Sequence, residues 1–143
     1  MLDPEDPEQA HIIDRLRQAE YAYFTTIRPD GRPHTVPVCF LWEDGTILIL
    51  SLAHGVKINN LRQNSQVNLA IDHFGDPDYF AVVVEGTAEL LPDAGMDLSY
   101  PPYAQKYIPL SQRAFGTDIP PESYVRMYSQ AIRVTPTRIR HDN

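Results

Sequence analysis

Two Asp-Gly turns, Asp30-Gly31 and Asp44-Gly45, cut the stretch from Tyr21 to Leu61 into apolar runs too short for helices. Asp-Gly supplies residues tolerant of positive φ, and Pro29 presets the φ of the first turn, so each pair is a hairpin signal. The runs Ala22 to Ile27, Thr35 to Trp42 and Thr46 to Ser51 are rich in β-branched residues and read as a meander of three antiparallel strands. Pro37 lies inside the second run. It cannot donate a ladder hydrogen bond, which places that strand at an edge, at a bulge, or where its backbone faces something other than another strand.

After Ser51 the period changes. Val56, Ile58 and Leu61 fall at helical spacing, with Lys57, Asn59, Asn60 and Arg62 on the other face. Gly55-Val56-Lys57 therefore opens a short helix. Free backbone N–H groups and the positive dipole end favour an anion such as phosphate there, and Lys57 adds charge. Taken alone, a lysine in a first turn is an ordinary solvated residue. Arg28, Arg32, Lys57 and Arg62 belong to the same elements and can either line a basic mouth or simply solubilise turns. His54 reads as a surface histidine at the helix entry.

The remaining segments read as scaffold. Glu8 to Glu20 gathers Ile12, Ile13, Leu16 and Ala19 on one face, an amphipathic helix opened by Pro7 that plugs one end of the strand assembly. Gln66 to Ile71 and Tyr79 to Leu91 are the fourth and fifth strands, joined by a turn-rich loop from Asp72 to Asp78. Beyond Pro92, prolines at 101, 102, 109, 120 and 121 break the chain into short pieces, with helices expected around Tyr103 to Tyr107 and Glu122 to Tyr128. Of Tyr100, Tyr103, Tyr107 and Tyr124, the first three, at three- and four-residue spacing, form a packing face more readily than a substrate pocket.

With 143 residues the chain is read as one domain, 1–143, large enough to bury a single core. A net charge of −7 argues against a nucleic-acid partner. No apolar run has the length to span a bilayer and the start Met1-Leu2-Asp3-Pro4-Glu5-Asp6 is acidic, so the expectation is a cytoplasmic protein without a membrane partner. The lone cysteine, Cys39, reads as a small buried hydrophobe. Five histidines lack metal-ligand spacing, so no metal is expected, and no GxSxG, GxxxxGK[ST] or GxGxxG pattern is present.

The ordered series Gly31 to Val38, Asp44-Gly45-Thr46, Ser51, Lys57, Asn60-Leu61-Arg62, Val67 to Asp72 and Val82 to Leu90 resembles the pyridoxamine 5′-phosphate oxidase-like superfamily. Within it, the sequence is most similar to small oxidoreductases that use a deazaflavin coenzyme of the F-420 type or FMN. The resemblance runs from Ala10 to Leu91, and weakly over Val134 to Arg140. It implies a mainly β fold with short helices, a six-stranded antiparallel split β-barrel, assembled as a homodimer with the cofactor across the interface. By the same resemblance Val36, Pro37 and Val38 contact the ring through the main chain, Leu50 and Ser51 lie beside the ribityl chain and phosphate, Lys57 holds the phosphate, and Gly55, Val56 and Asn60 are further cofactor-binding positions. Ala81 takes the place of a partner-subunit glutamine. An arginine that precedes the lysine in the oxidases is Val56 here, and their C-terminal tryptophan and arginine-rich tail is absent. The implied function is hydride transfer to a small organic substrate by a deazaflavin, in which the cofactor performs the chemistry and no catalytic side chain is required. The alternatives are an FMN-dependent oxidoreductase, a non-catalytic FMN- or haem-binding carrier or sensor, and a scaffold whose site has decayed.

Overall fold

The computed structural model describes residues 1–72, 80–92, 100–116 and 128–142. Helix α1 (Pro7–Gln18) is followed by strands β1 (Tyr21–Ile27), β2 (Pro33–Cys39), β3 (Leu41–Glu43) and β4 (Thr46–Ser51). Then come helix α2 (Val56–Leu61), β5 (Gln66–Ile71), β6 (Ala81–Leu90), helix α3 (Pro101–Phe115) and β7 (Gln130–Asp142). All paired strands run antiparallel in one seven-stranded sheet of order β2-β1-β5-β6-β7-β4-β3.

The strand order closes the barrel. β2 and β3 form the two edges of the sheet, yet only Phe40 separates them along the chain, so the sheet has to curl until its edges meet. The single strand expected over Thr35 to Trp42 is thus two, and the sheet has seven strands rather than six. Residues up to Cys39 pair with β1 and residues from Leu41 pair with β4, which no straight strand can do. At the bend the Phe40 backbone leaves both ladders. Its N–H donates to the Tyr107 hydroxyl, while its carbonyl accepts from that hydroxyl and, at 2.8 Å, from Lys106 Nζ.

Alternation decides the faces. In β1, Ala22, Phe24 and Thr26 are fully buried whereas Tyr21 and Tyr23 point outward, and the core continues through Leu69, Val84, Ile132 and Ile49. Helix α1 starts at Pro7, the opening residue read from sequence, and the Asp6 carboxylate caps it, accepting from the N–H groups of Glu8 at 3.0 Å and Gln9 at 3.2 Å. It buries Ile12, Ile13 and Leu16.

Strand β7 extends on both sides of the Val134 to Arg140 segment covered by the resemblance and lies between β6 and β4. A bulge between Glu85 and Gly86 shifts its register against Arg138 and Pro136. Helix α3 also exceeds expectation. Pro101 and Pro102 start it where an N–H would be unpaired anyway, and Pro109 lies on an exposed face together with Gln105, whose carbonyl it leaves to solvent. The helix expected around Glu122 to Tyr128 and most of the loop from Asp72 to Asp78 lie outside the described residues. Among the described residues, no helix is long and apolar enough to cross a membrane.

Candidate functional site at the barrel split

The closure is incomplete. β3 pairs with β4 only over Thr46 to Leu48, so among the described residues Ile49, Leu50 and Ser51 pair on one side alone, with β7, and the edge strand β2 comes close to β4. An edge strand leaves alternate N–H and C=O groups unpaired, and Pro37 lacks an N–H altogether. β2, which carries Val36 to Val38, and β4, which carries Leu50 and Ser51, thus lie close without pairing. Val38 and Leu50 are buried and Pro37 exposed. Ser51 is buried with its hydroxyl donating to the Leu52 carbonyl at 3.0 Å.

Beyond Ser51 the chain turns into α2. Gly55 is its N-cap at φ 134°, a conformation that only glycine adopts at ease, and no side chain caps the helix, so its first N–H groups stay available. Asn60 is buried and donates from Nδ2 to Thr26 Oγ1 at 2.9 Å, which pins α2 against β1. The half-buried Lys57 has neither a carboxylate nor a hydrogen-bond partner among the described residues, and burial alone draws its pKa below the ordinary lysine range.

His34, opposite Thr26 in the ladder, completes this corner. Its Nδ1 is shut off from solvent without a partner. Burial first, then the charges of Arg28 and Lys57, hold its pKa below the usual histidine value. Of the four cations read from sequence as a mouth, Arg28 and Lys57 lie near enough to His34 for their charges to act on it, and Arg28 donates to the Pro33 carbonyl at 2.9 Å. Arg32 is tied to Asp30 at 2.8 Å and Arg62 bonds Asn59 at 3.3 Å. His34 was not singled out from the sequence, although it shares a strand face with Val36 and Val38. His54 and Val56 are exposed. Ala81 lies on the rung of Tyr21 while His34 lies on that of Thr26, a separation of about 17 Å along the strands.

The other end of the seam carries a second polar cluster. Lys106 reaches the Phe40 carbonyl, lies 4.3 Å from the centre of the Phe40 ring, and is pushed down to about 8 by burial. Burial pushes the Cys39, Tyr103 and Tyr107 pKa values up. Tyr107 is buried, its ring 4.6 Å from that of Tyr103, and Tyr100 and Tyr103 pack on Leu41, Leu48 and Leu50. The tyrosine spacing is thus a packing face; Tyr124 lies outside the described residues. No three His, Cys, Asp or Glu side chains among the described residues come together to hold a metal ion.

The family model for pyridoxamine 5′-phosphate oxidase matches residues 9–142. The chain belongs to this family. Among family relatives, a 5a,11a-dehydrotetracycline/5a,11a-dehydrooxytetracycline reductase from Streptomyces rimosus is 35% identical over 92 residues, 59% of this chain and 65% of that protein. The match thus spans less than two thirds of the relative's length. An F420 reductase structure superposes with a TM-score of 0.65 at 25% identity, covering 89% of this chain and 94% of its own. An FAD-binding protein from Mesorhizobium loti has a TM-score of 0.64 at 19% identity, covering 91% and 88%. This family member therefore shares the split barrel with proteins whose descriptions name different redox cofactors.

Proposed function

We propose that this chain is a hydride-transfer oxidoreductase holding a phosphorylated deazaflavin of the F-420 type in the split between β2 and β4. The observation that carries the reading is the half-buried Lys57 ammonium, without a counter-ion among the described residues, at an uncapped helix start beside Arg28 and His34. Such a corner favours an anion, since a phosphate would take the free N–H groups and offset the desolvated charge. The family match and the likeness to an F420 reductase support a flavin-type cofactor.

In this reading Lys57, with the N–H groups following Gly55 and Val56, holds the phosphate. Asn60 keeps α2 in register with β1, and Leu50 and Ser51 flank the cofactor's chain. The main chain of Val36, Pro37 and Val38 borders the ring, where backbone dipoles stabilise negative charge without a titrating group. The cofactor, when bound, supplies the hydride chemistry. Homodimerisation completes the site. Tyr21 and Tyr23 are exposed on the outer sheet face at 49% and 42%, on the rungs of Ala81 and Val83, so a second copy seated there would bring its Ala81 toward the ring.

The substrate class we infer is a conjugated polycyclic compound, by analogy with the tetracycline reductase relative. The test is titration of the apo protein with the deazaflavin coenzyme and with FMN by absorbance and fluorescence, followed by a substrate screen with the preferred reduced cofactor. Tight binding of the deazaflavin supports the proposal. Selective binding of FMN would transfer the reading to an FMN oxidoreductase or carrier. Binding of neither rejects both.

A further inference from the structure

At the barrel end covered by α1, a cavity of about 990 Å³ opens between that helix, the β3–β4 turn and β7. It shares no residue with the Lys57 corner. Trp42, Ile13 and Ile139 give it an apolar wall, and Arg17 and Arg138 stand at its rim with Asp44. The volume is at the upper end of the range for small-molecule sites, and Thr46, Thr135 and Thr137 add polar groups to the lining.

Two further observations distinguish this cavity from a surface crevice. The first is charge: the chain carries a net −7, yet two arginines oppose one aspartate here. Both arginines are exposed and lack an ionic partner among the described residues. Glu85, across the ladder from Arg138, is bonded instead to Arg140 at 2.8 Å. The second is the bulge between Glu85 and Gly86, where β7 runs through Pro136, Thr137 and Arg138 along the cavity wall. Bulges re-aim side chains beside binding sites, and this one is held by a close approach, since any Cβ on Gly86 would lie 2.5 Å from the Thr135 carbonyl oxygen.

We propose that this cavity is a second ligand site, separate from the barrel split, for a small amphipathic anion with an aromatic or fused-ring body and one carboxylate or sulfonate. The body packs on Trp42 and the acid is held between Arg17 and Arg138. Guanidinium groups bind planar oxyanions in a bidentate manner, and the indole face offers the largest aromatic surface among side chains.

Trp42 is the sole tryptophan, so its emission reports the cavity directly. The probe is anilinonaphthalene sulfonate, followed by energy transfer from selectively excited Trp42, with anilinonaphthalene lacking the sulfonate as the uncharged comparison. The expected result is saturable transfer that Arg17→Gln with Arg138→Gln weakens by at least about tenfold in Kd, while the uncharged compound binds both proteins alike. Thermal unfolding of the double variant establishes that it folds, and its unaltered titration with FMN or the deazaflavin would show the two sites to be independent. Equal affinity of the sulfonate for parent and variant, or no transfer from Trp42, overturns the proposal whichever cofactor occupies the split.

Discussion

Lys57 and Lys106 are the only lysines in the chain, and burial draws both below the ordinary lysine range for different ends. Lys106 has a carbonyl to bond and an aromatic ring beneath it, whereas Lys57 has neither a bond nor an ion pair among the described residues. Lys57→Ala is expected to weaken binding of the phosphorylated cofactor by roughly 1.5–3 kcal/mol in an isothermal titration, without lowering the unfolding midpoint. His34 adds a pH dependence. Its pKa is depressed in the free protein, first by burial and then by Arg28 and Lys57, and an anion placed among these groups raises it. Binding then takes up a proton, so affinity should increase as pH falls between the free and bound pKa values. The His34 ring resonances, followed by NMR with and without inorganic phosphate, check this. Lys106 has the opposite bearing on stability. With a folded pKa of about 8 against 10.5 unfolded, the native state binds fewer protons in that window, and stability from this group rises with pH across it. Denaturant midpoints measured over that range should lose this component of their slope in Lys106→Met.

At the scale of elements, local chemistry accounts for the helix starts and the turns. Asp6→Ala removes the cap of α1 and should cost about 0.5–2 kcal/mol in urea unfolding. The bulge in the β6–β7 pair is a different matter, because nothing in the alternation of Val82 to Leu90 marks Gly86 as a point of contact between backbones. Gly86→Ala drives a methyl against the Thr135 carbonyl and should destabilise the protein by about 1–3 kcal/mol, read from the same urea transition. Helix α3 shows why prolines misled the sequence reading. Pro101 and Pro102 start the helix, and Pro109 is accommodated on an exposed face, so a count of prolines overstates the number of breaks.

For the whole molecule, the outer face of β1 is the feature that points beyond one chain. Tyr21 and Tyr23 stand exposed in edge-to-face contact, 6.1 Å apart, and Pro37 lies beside Tyr23 in the ladder. Tyr23→Glu adds a charge to that face without touching the core. If the proposed homodimer and shared cofactor site are right, light scattering should show a monomer, and cofactor affinity should fall with it. A variant that remains dimeric with unchanged affinity would place the interface elsewhere.

The two hairpin turns, the amphipathic first helix and the helix opening at Gly55 were legible because each rests on a local rule: hairpin turn chemistry, a 3.6-residue period, or a change of period. The ordered motifs carried the family as well. Only the tertiary structure decided that the strand through Pro37 breaks at Phe40, since Val38 to Trp42 is a continuous apolar run that marks no break, and the break lets one continuous segment serve both edges of a closing sheet. Packing of α2 on β1 brings Lys57 toward His34, and closure of the sheet brings β2 close to β4. No local pattern records such juxtapositions, because they depend on strand order and on incomplete pairing at the seam.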